Sequence, residues 1–126
     1  MKKKPIKLIK FIDWGFMQFT TLLIIGYTKE EALKKMDKKL GYWKKLVSDL
    51  SDDCQGQHLN HQGSSVIRLK SFDIDLWLDW EMLLHETNHN VNKNVTENYP
   101  DNSELIAYAH ENLFRLCRKE IFKKVS

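Results

Sequence analysis

The chain carries an H-E-x-x-H motif within the sequence Leu84-His85-Glu86-Thr87-Asn88-His89. Residues four apart share one face of a helix, so His85 and His89 can present two imidazole nitrogens to one metal ion. Glu86 stands beside them, where its carboxylate could hold a water molecule and take a proton from it. The motif therefore predicts the core of a zinc peptidase site. The competing interpretation is an exposed helix face that carries two histidines beside an unrelated glutamate.

The residues around the motif favour a helix. The stretch 75–84 is rich in helix-forming residues and contains neither glycine nor proline. We predict one helix over residues 76–92 and expect it to be buried on most sides, in the middle of the domain. Its core-facing stripe would consist of Trp77, Trp80, Leu84 and Val91, and the apolar residues on its other sides are Leu78, Met82 and Leu83.

The motif supplies two ligands, whereas a catalytic zinc ion usually has three protein ligands. Val95 stands where the metzincin pattern would place a third histidine. We favour Glu104, because it opens a second helical run that a loop could fold back against the first helix. Tyr108 lies four residues further on the same face, where its phenol could support a ligand or stabilise an oxyanion. The full set of downstream candidates is Glu97, Asp101, Glu104, His110 and Glu111.

Glu104 also has a structural interpretation. Asp101 precedes it by three residues, which is the spacing of an N-cap and an acidic N3 residue. A glutamate in a first helical turn interacts favourably with the helix dipole as well. The sequence is compatible with both roles.

The motif and the second helical run together resemble a known group of proteins. The segments are His85-Glu86-Thr87-Asn88-His89 and, after a short loop, Ser103-Glu104-Leu105-Ile106-Ala107-Tyr108. They are similar to the gluzincin arrangement, in particular to small phage-encoded zincin-like metallopeptidases and minimal gluzincins. Those proteins carry H-E-x-x-H on one helix and a glutamate, often in an E-x-x-A-Y context, on the next. The resemblance covers about residues 63–116 and implies Zn²⁺ ligands at His85, His89 and Glu104, with Glu86 as general base.

The segments before the motif predict strands and one long helix. Residues 5–13 predict an extended segment, and the apolar run 20–27 predicts a buried strand. Thr28 and Glu31 have the spacing of a capping box, which predicts the start of an amphipathic helix that runs to Leu50. The apolar stripe of that helix is Leu33, Met36, Leu40, Trp43, Val47 and Leu50.

Residues 57–70 predict a hairpin that turns near Gln62-Gly63. In zincins, a sheet edge above the active helix binds extended substrate, and by resemblance the segment 65–70 is our candidate for that edge. His58 and His61 could be further ligands or substrate contacts. We favour exposed hairpin histidines, because nothing in the sequence pairs them with the motif.

The predicted fold class is α+β. We expect a minimal zincin-like domain with an N-terminal strand and amphipathic helix, a small sheet with a hairpin, the H-E-x-x-H helix and a second zinc-ligand helix over residues 103–123. A chain of 126 residues is long enough for one core. Residues 1–19 would form an N-terminal arm or an extra strand, and residues 20–126 a single domain.

Composition limits the partners and the compartment. The net charge of +3 is concentrated at the two ends, which we interpret as solubilising, so no nucleic-acid partner is expected. Cys54 and Cys117 form neither a CxxC motif nor a disulfide framework, which favours a reduced, cytoplasmic chain. Lysines interrupt the N-terminal apolar stretch, and the run 16–27 is too short to cross a bilayer, so we expect neither a signal segment nor a membrane partner. If the chain is phage-encoded, it would lie in the host cytoplasm or the virion.

The sequence supports two functions of different class. The first is a zinc-dependent metallopeptidase-like protein that hydrolyses peptide bonds in a peptide or protein substrate by means of metal-activated water. The alternative is a structural or assembly subunit of a phage virion or ring, with zinc structural or absent. The small size of the chain and its apolar N-terminal arm, residues 6–19, keep the alternative open, because such an arm could pack on a second copy in a homo-oligomer.

Overall fold

The computed structural model describes residues 5–126, which form a four-stranded mixed sheet with helices on both faces. The strands are β1 (Leu8–Asp13), β2 (Thr20–Ile25), β3 (Gly56–His61) and β4 (Ser64–Leu69). The α-helices are α1 (Lys29–Lys35), α2 (Gly41–Ser48), α3 (Trp77–Val91) and α4 (Ser103–Val125), and a π-helical segment, Asn92–Thr96, follows α3 directly. The order in the sheet is β1-β2-β4-β3, in which only β2 and β4 are parallel. The predicted α+β class is confirmed.

Strand β2 is apolar at successive positions because both faces of the sheet are covered. Leu22 and Ile24 pack with residues of α1 and α2 on one face. Leu23 and Ile25 pack with residues of α3 and α4 on the other face. All four side chains are fully buried, and each such burial stabilises the fold by roughly 1.5–3 kcal/mol. The run of apolar residues is therefore typical of a central strand, as predicted.

The hairpin is confirmed, but its strands have different places from those expected. Gln62 and Gly63 have φ values of 49° and 85°, the left-handed pair that a two-residue hairpin turn requires. Strand β4 pairs with β2 on one side and β3 on the other. The prediction that residues 65–70 form the free edge is therefore wrong, and the edge strand on this side of the sheet is β3. An alternating pattern identifies a strand but not its neighbours.

The amphipathic helix predicted to run from Thr28 to Leu50 is divided into α1 and α2. The capping box of Thr28 and Glu31 is present as predicted. The chain leaves the helical conformation at Met36, and the Asp37 carboxylate then accepts a hydrogen bond from the Lys39 backbone N–H at 2.9 Å. Such a local side-chain bond competes with helical hydrogen bonds and favours a turn. The predicted stripe nevertheless stays together, because Met36, Val47 and Leu50 belong to one buried cluster.

Helix α3 lies where predicted, but its inward face is different. The side chains of Trp77 and Leu84, predicted to face the core, are 73% and 45% exposed, and Leu78 is 65% exposed. The prediction of a helix buried on most sides is therefore wrong. The residues that α3 buries are Leu83, Glu86, Thr87, Asn90 and Val91. The face that packs on the sheet is thus partly polar, and an apolar-periodicity argument cannot detect it.

The N-terminal segment predicted as an arm or an extra strand contains β1, which pairs with β2 along its whole length. Residues 1–4 of that segment lie outside the described residues. Cys54 and Cys117 are both free, and burial raises the pKa of the Cys117 thiol to about 12. Within residues 5–126, no helix combines the length and the apolar character that a membrane crossing requires.

Candidate metal centre

The H-E-x-x-H helix packs against the edge strand of the sheet. A Cβ atom at Gly56 in β3 would lie 2.5 Å from the Met82 sulfur in α3, so glycine permits this close approach. Side chains alternate along a strand, and Leu59 packs on the α1 and α2 side. His58 therefore points to the opposite side, toward α3. This packing places the strand and the motif against each other.

The two histidines of the motif meet as the helical spacing predicts. Their Nε2 atoms lie 3.0 Å apart, and their ring planes are perpendicular, with centroids separated by 4.4 Å. Two imidazole nitrogens that bind one tetrahedral zinc at about 2.0–2.1 Å are about 3.3 Å apart. The arrangement of His85 and His89 is close to that of a bound pair, so little rearrangement would be needed to admit an ion.

Glu86 is the buried member of the group. Its side chain is 5% exposed, its Oε1 lies 3.8 Å from His85 Nε2, and its Oε2 is a buried atom without a hydrogen-bond partner among the described residues. Burial raises the pKa of this carboxyl, and the neighbouring His85 and His89 partly offset the rise. A perturbed carboxyl beside two histidines is the kind of group found at functional sites.

The chemistry of these donors fits a divalent metal ion. One ligand atom from each of His85, Glu86 and His89 lies within 4.8 Å of the others, and no other such group occurs in residues 5–126. Imidazole nitrogens with a carboxylate oxygen suit zinc and several other first-row metals. Both histidines are exposed, so an ion can reach them from solvent.

The predicted third ligand lies outside this group. Glu104 is exposed in the first turn of α4, and its carboxylate is not within 4.8 Å of all three members. The N-cap of α4 is Asn102, whose Oδ1 accepts a hydrogen bond from the Leu105 backbone N–H at 3.0 Å. Asp101 is therefore not the cap that the structural interpretation assumed. Tyr108 is 55% exposed and packs against the Phe16 ring, with centroids 5.0 Å apart.

The other downstream candidates are also placed. Glu97 forms an ion pair with Lys93 at 3.1 Å, and Glu111 is exposed on α4. His110 bonds through Nδ1 to Asn88 Oδ1 at 2.8 Å, and burial lowers its pKa. Because Asn88 lies inside the motif, His110 connects α4 to the motif by a hydrogen bond. No spacing rule indicates this pair, since 22 residues separate its members.

His58 also belongs to the site, contrary to the prediction of an exposed hairpin histidine. Its ring stacks on that of His89 with centroids 4.9 Å apart and planes 4° from parallel, and its Nδ1 lies 3.8 Å from Glu86 Oε2. Burial, and then the nearby His89, Lys93 and His85, lower the pKa of His58. His61 is exposed, as predicted. Strand alternation could have revealed the difference, because the two residues stand on opposite sides of the strand.

Comparisons with known proteins gave no match, whether to a protein-family model, a curated protein or a solved structure. The functional assignment therefore depends on the geometry of the site.

We expect Glu86→Gln to stabilise the metal-free protein at pH 8 by about 1 kcal/mol, because glutamine is uncharged and avoids the cost of burying an ionised carboxylate. The folded state raises the pKa of Glu86, so its protonated form favours folding. That contribution is complete below the unfolded-state pKa of about 4.3 and is lost as pH rises through the folded-state value. Glutamine does not ionise, so the difference in unfolding free energy between Glu86→Gln and the parent should increase as the pH rises.

Urea unfolding of the metal-free proteins at pH 4 and pH 8 measures this difference. Glu81→Gln is the matched control, because Glu81 is exposed on the same helix. Equal stability of Glu86→Gln and the parent at pH 8 would show that the buried carboxylate carries no penalty.

Proposed function

We propose that this protein is a zincin-type metallopeptidase in which His85 and His89 bind a zinc ion and Glu86 is the general base. The proposal is based on one observation: the buried Glu86 carboxylate, one oxygen of which has no hydrogen-bond partner in the described part of the chain, lies beside two imidazoles whose Nε2 atoms are 3.0 Å apart. A fold that needed only stability would gain from an apolar residue at position 86. Groups that lower stability in this way are typical of sites kept for function.

The proposed reaction is hydrolysis of a peptide bond. When bound, the ion would lower the pKa of a water molecule and polarise the scissile carbonyl. Glu86 would accept a proton from the attacking water and pass it to the nitrogen of the leaving amine. Burial favours this role, because the raised pKa of Glu86 makes it a better proton acceptor at neutral pH than an exposed carboxylate.

The edge strand β3 is the proposed binding surface for the substrate. In a two-residue hairpin the flanking pair, His61 and Ser64, is hydrogen-bonded, and bonded pairs then alternate along the ladder. The bond from Lys70 N–H to Gln55 O agrees with this alternation. The N–H and C=O groups of Gly56, His58 and Asn60 therefore point away from β4. An extended peptide could pair with them and lie beside the metal centre.

Glu104 stays the candidate for the third ligand that the resemblance to gluzincins implies. It lies in the first turn of α4, and α4 packs on α3 through core side chains as well as through the contact of Asn88 with His110. A two-histidine site without a third protein ligand would be unusual for catalytic zinc. Metal content of a Glu104 variant tests this assignment and is described in the Discussion.

The direct test is cleavage of a peptide mixture by the zinc-loaded protein, with the products identified by mass spectrometry. We expect cleavage that stops when a chelator removes the metal and resumes when Zn²⁺ is returned. Cleavage that persists without metal would contradict the proposal. A zinc-loaded, folded protein that cleaves no member of a diverse mixture would favour the second candidate function below.

The second candidate is an assembly subunit, and the outer face of α3 and α4 favours it. The residues exposed there include Trp77 at 73%, Leu84 at 45% and Phe122 at 46%, which line one shallow depression. Exposed apolar groups of this size are typical of interaction surfaces. If a second copy covers them, light scattering should give a mass above that of one 15.0 kDa chain, and Trp77→Glu should return it to that value. A parent protein that is monomeric at high concentration would exclude self-assembly through this face.

A further inference from the structure

His58 lies between the two halves of the proposed site. On one side its ring covers the face of His89, and on the other its Nδ1 lies 3.8 Å from Glu86 Oε2. Its side chain is only 20% exposed, so the packing of β3 on α3 restrains the ring. From these contacts we infer that His58 is a positioning residue, which orients the His89 ring by stacking and the Glu86 carboxylate by donating a hydrogen bond from Nδ1. The second role rests on the proposed function of Glu86.

In the orientation that the rings have in this structure, His58 is not placed to share an ion with His89. An imidazole nitrogen binds a metal along its lone pair, so the ion lies in the ring plane. The stacked rings of His58 and His89 are within 4° of parallel with centroids 4.9 Å apart, so their planes do not meet near either ring. The planes of His85 and His89, at 90°, do intersect. His58 therefore contacts the site without serving as a ligand of the ion.

The hydrogen-bond donor has a specific acceptor. Glu86 Oε2 is a buried oxygen that has no hydrogen-bond partner within residues 5–126, and buried polar atoms in native proteins are almost always hydrogen-bonded. The His58 Nδ1 is less than 1 Å beyond ordinary hydrogen-bond reach of that oxygen. A small rotation of either side chain would make the bond. With Oε2 held in this way, Oε1 would face His85 and the position of the attacking water.

His58 also connects the site to the proposed substrate edge. Its backbone N–H and C=O belong to the outward-pointing set of β3, so a peptide added to this strand would bond directly to the residue that contacts Glu86 and His89. Occupation of the edge would thereby restrain the His58 ring further. In this way, substrate binding can restrain the carboxylate of Glu86, the proposed general base.

Two substitutions separate the two roles. His58→Phe keeps a flat ring over His89 but removes the donor, whereas His58→Asn keeps an N–H group near the position of Nδ1 but removes the ring. We expect zinc affinity, measured by competition with a chromophoric chelator, to change less than threefold in His58→Phe and to fall roughly tenfold in His58→Asn. We expect kcat of the zinc-loaded protein to fall at least tenfold in His58→Phe and to stay within threefold in His58→Asn.

The exposed histidine of the same strand supplies the matched controls, His61→Phe and His61→Asn, which should leave both quantities unchanged. Thermal unfolding of each variant identifies any that fails to fold. Equal zinc affinity in the parent and both His58 variants would overturn the role toward His89. Equal kcat in the parent and His58→Phe would overturn the role toward Glu86.

A measurement without activity keeps this inference separate from the proposed function. Long-range ¹H–¹⁵N correlation spectra report which ring nitrogen of His58 carries the proton. We expect the proton on Nδ1 in the metal-free protein. A proton on Nε2 alone would contradict donation to Glu86, even if the protein proves to be an active peptidase. A proton on Nδ1 in a protein that binds no zinc would support the contact and overturn the peptidase proposal alone.

Discussion

Glu86→Gln should lower kcat for peptide hydrolysis by a factor of roughly 10²–10⁴ while the zinc content stays at one ion per chain. Glutamine has nearly the same shape as glutamate, so the packing of this buried side chain against β3 should be kept. It cannot accept a proton from water at neutral pH, so the proton-transfer step loses its base. The measurement is kcat with a cleavable peptide, together with elemental analysis of the same preparation.

Glu81→Gln is the control for this result, because it makes the same chemical change at an exposed position of α3 and should keep kcat within about twofold. A Glu86→Gln variant that retains parental kcat would show that another group acts as the base. A variant that loses its zinc would show instead that the Glu86 carboxylate is a ligand, which its place within 4.8 Å of both histidines also permits.

His85→Ala and His89→Ala should each reduce zinc affinity by more than about 100-fold. Even partners that only orient a ligand are worth roughly 10–100-fold in metal affinity, and a ligand is worth more. The two rings stand at 90° with their Nε2 atoms 3.0 Å apart, so removal of either leaves one nitrogen in place of a preformed pair. Elemental analysis and competition with a chelator measure the loss. His61→Ala, at an exposed histidine, should bind zinc like the parent.

The same experiment decides the role of Glu104. If it is the third ligand, Glu104→Ala should lower zinc affinity strongly, whereas Glu111→Ala, at another exposed carboxylate of α4, should not. Equal affinity in these two variants would restrict the site to the motif itself. Stoichiometric zinc in both His85→Ala and His89→Ala would refute the ligand assignment altogether.

The sequence predicted the local parts of the site and missed the long-range ones. His85 and His89 share a face because the helix repeat requires it, so their meeting follows from spacing alone. His58 comes from a strand 27 residues before His85, and nothing in the motif identifies it. His110 lies 22 residues after its partner Asn88. Contacts between elements depend on how those elements pack. No local pattern in a single sequence indicates that packing.

In the fold, too, local features were predictable and long-range ones were not. The capping box of Thr28, the turn at Gln62-Gly63 and the apolar run of β2 were predictable, because each depends on neighbouring residues. The order of the strands was not predictable, so an edge position was assigned to β4, whereas the edge strands are β1 and β3. The buried face of α3 was also predicted wrongly, since the residues that this helix buries include Glu86 and Asn90. The periodicity of apolar residues cannot identify polar residues on a buried face.

The sequence by itself determined the elements and the motif: an α+β chain with two histidines and a glutamate on one helix. Only the tertiary structure decided that the glutamate is buried, that an edge-strand histidine stacks on the motif, and that Glu104 stands apart from it in the described fold. The reason is physical. Helical spacing and turn conformations are set by bonds and sterics over a few residues, whereas burial and contact are set by the packing of segments that are distant along the chain.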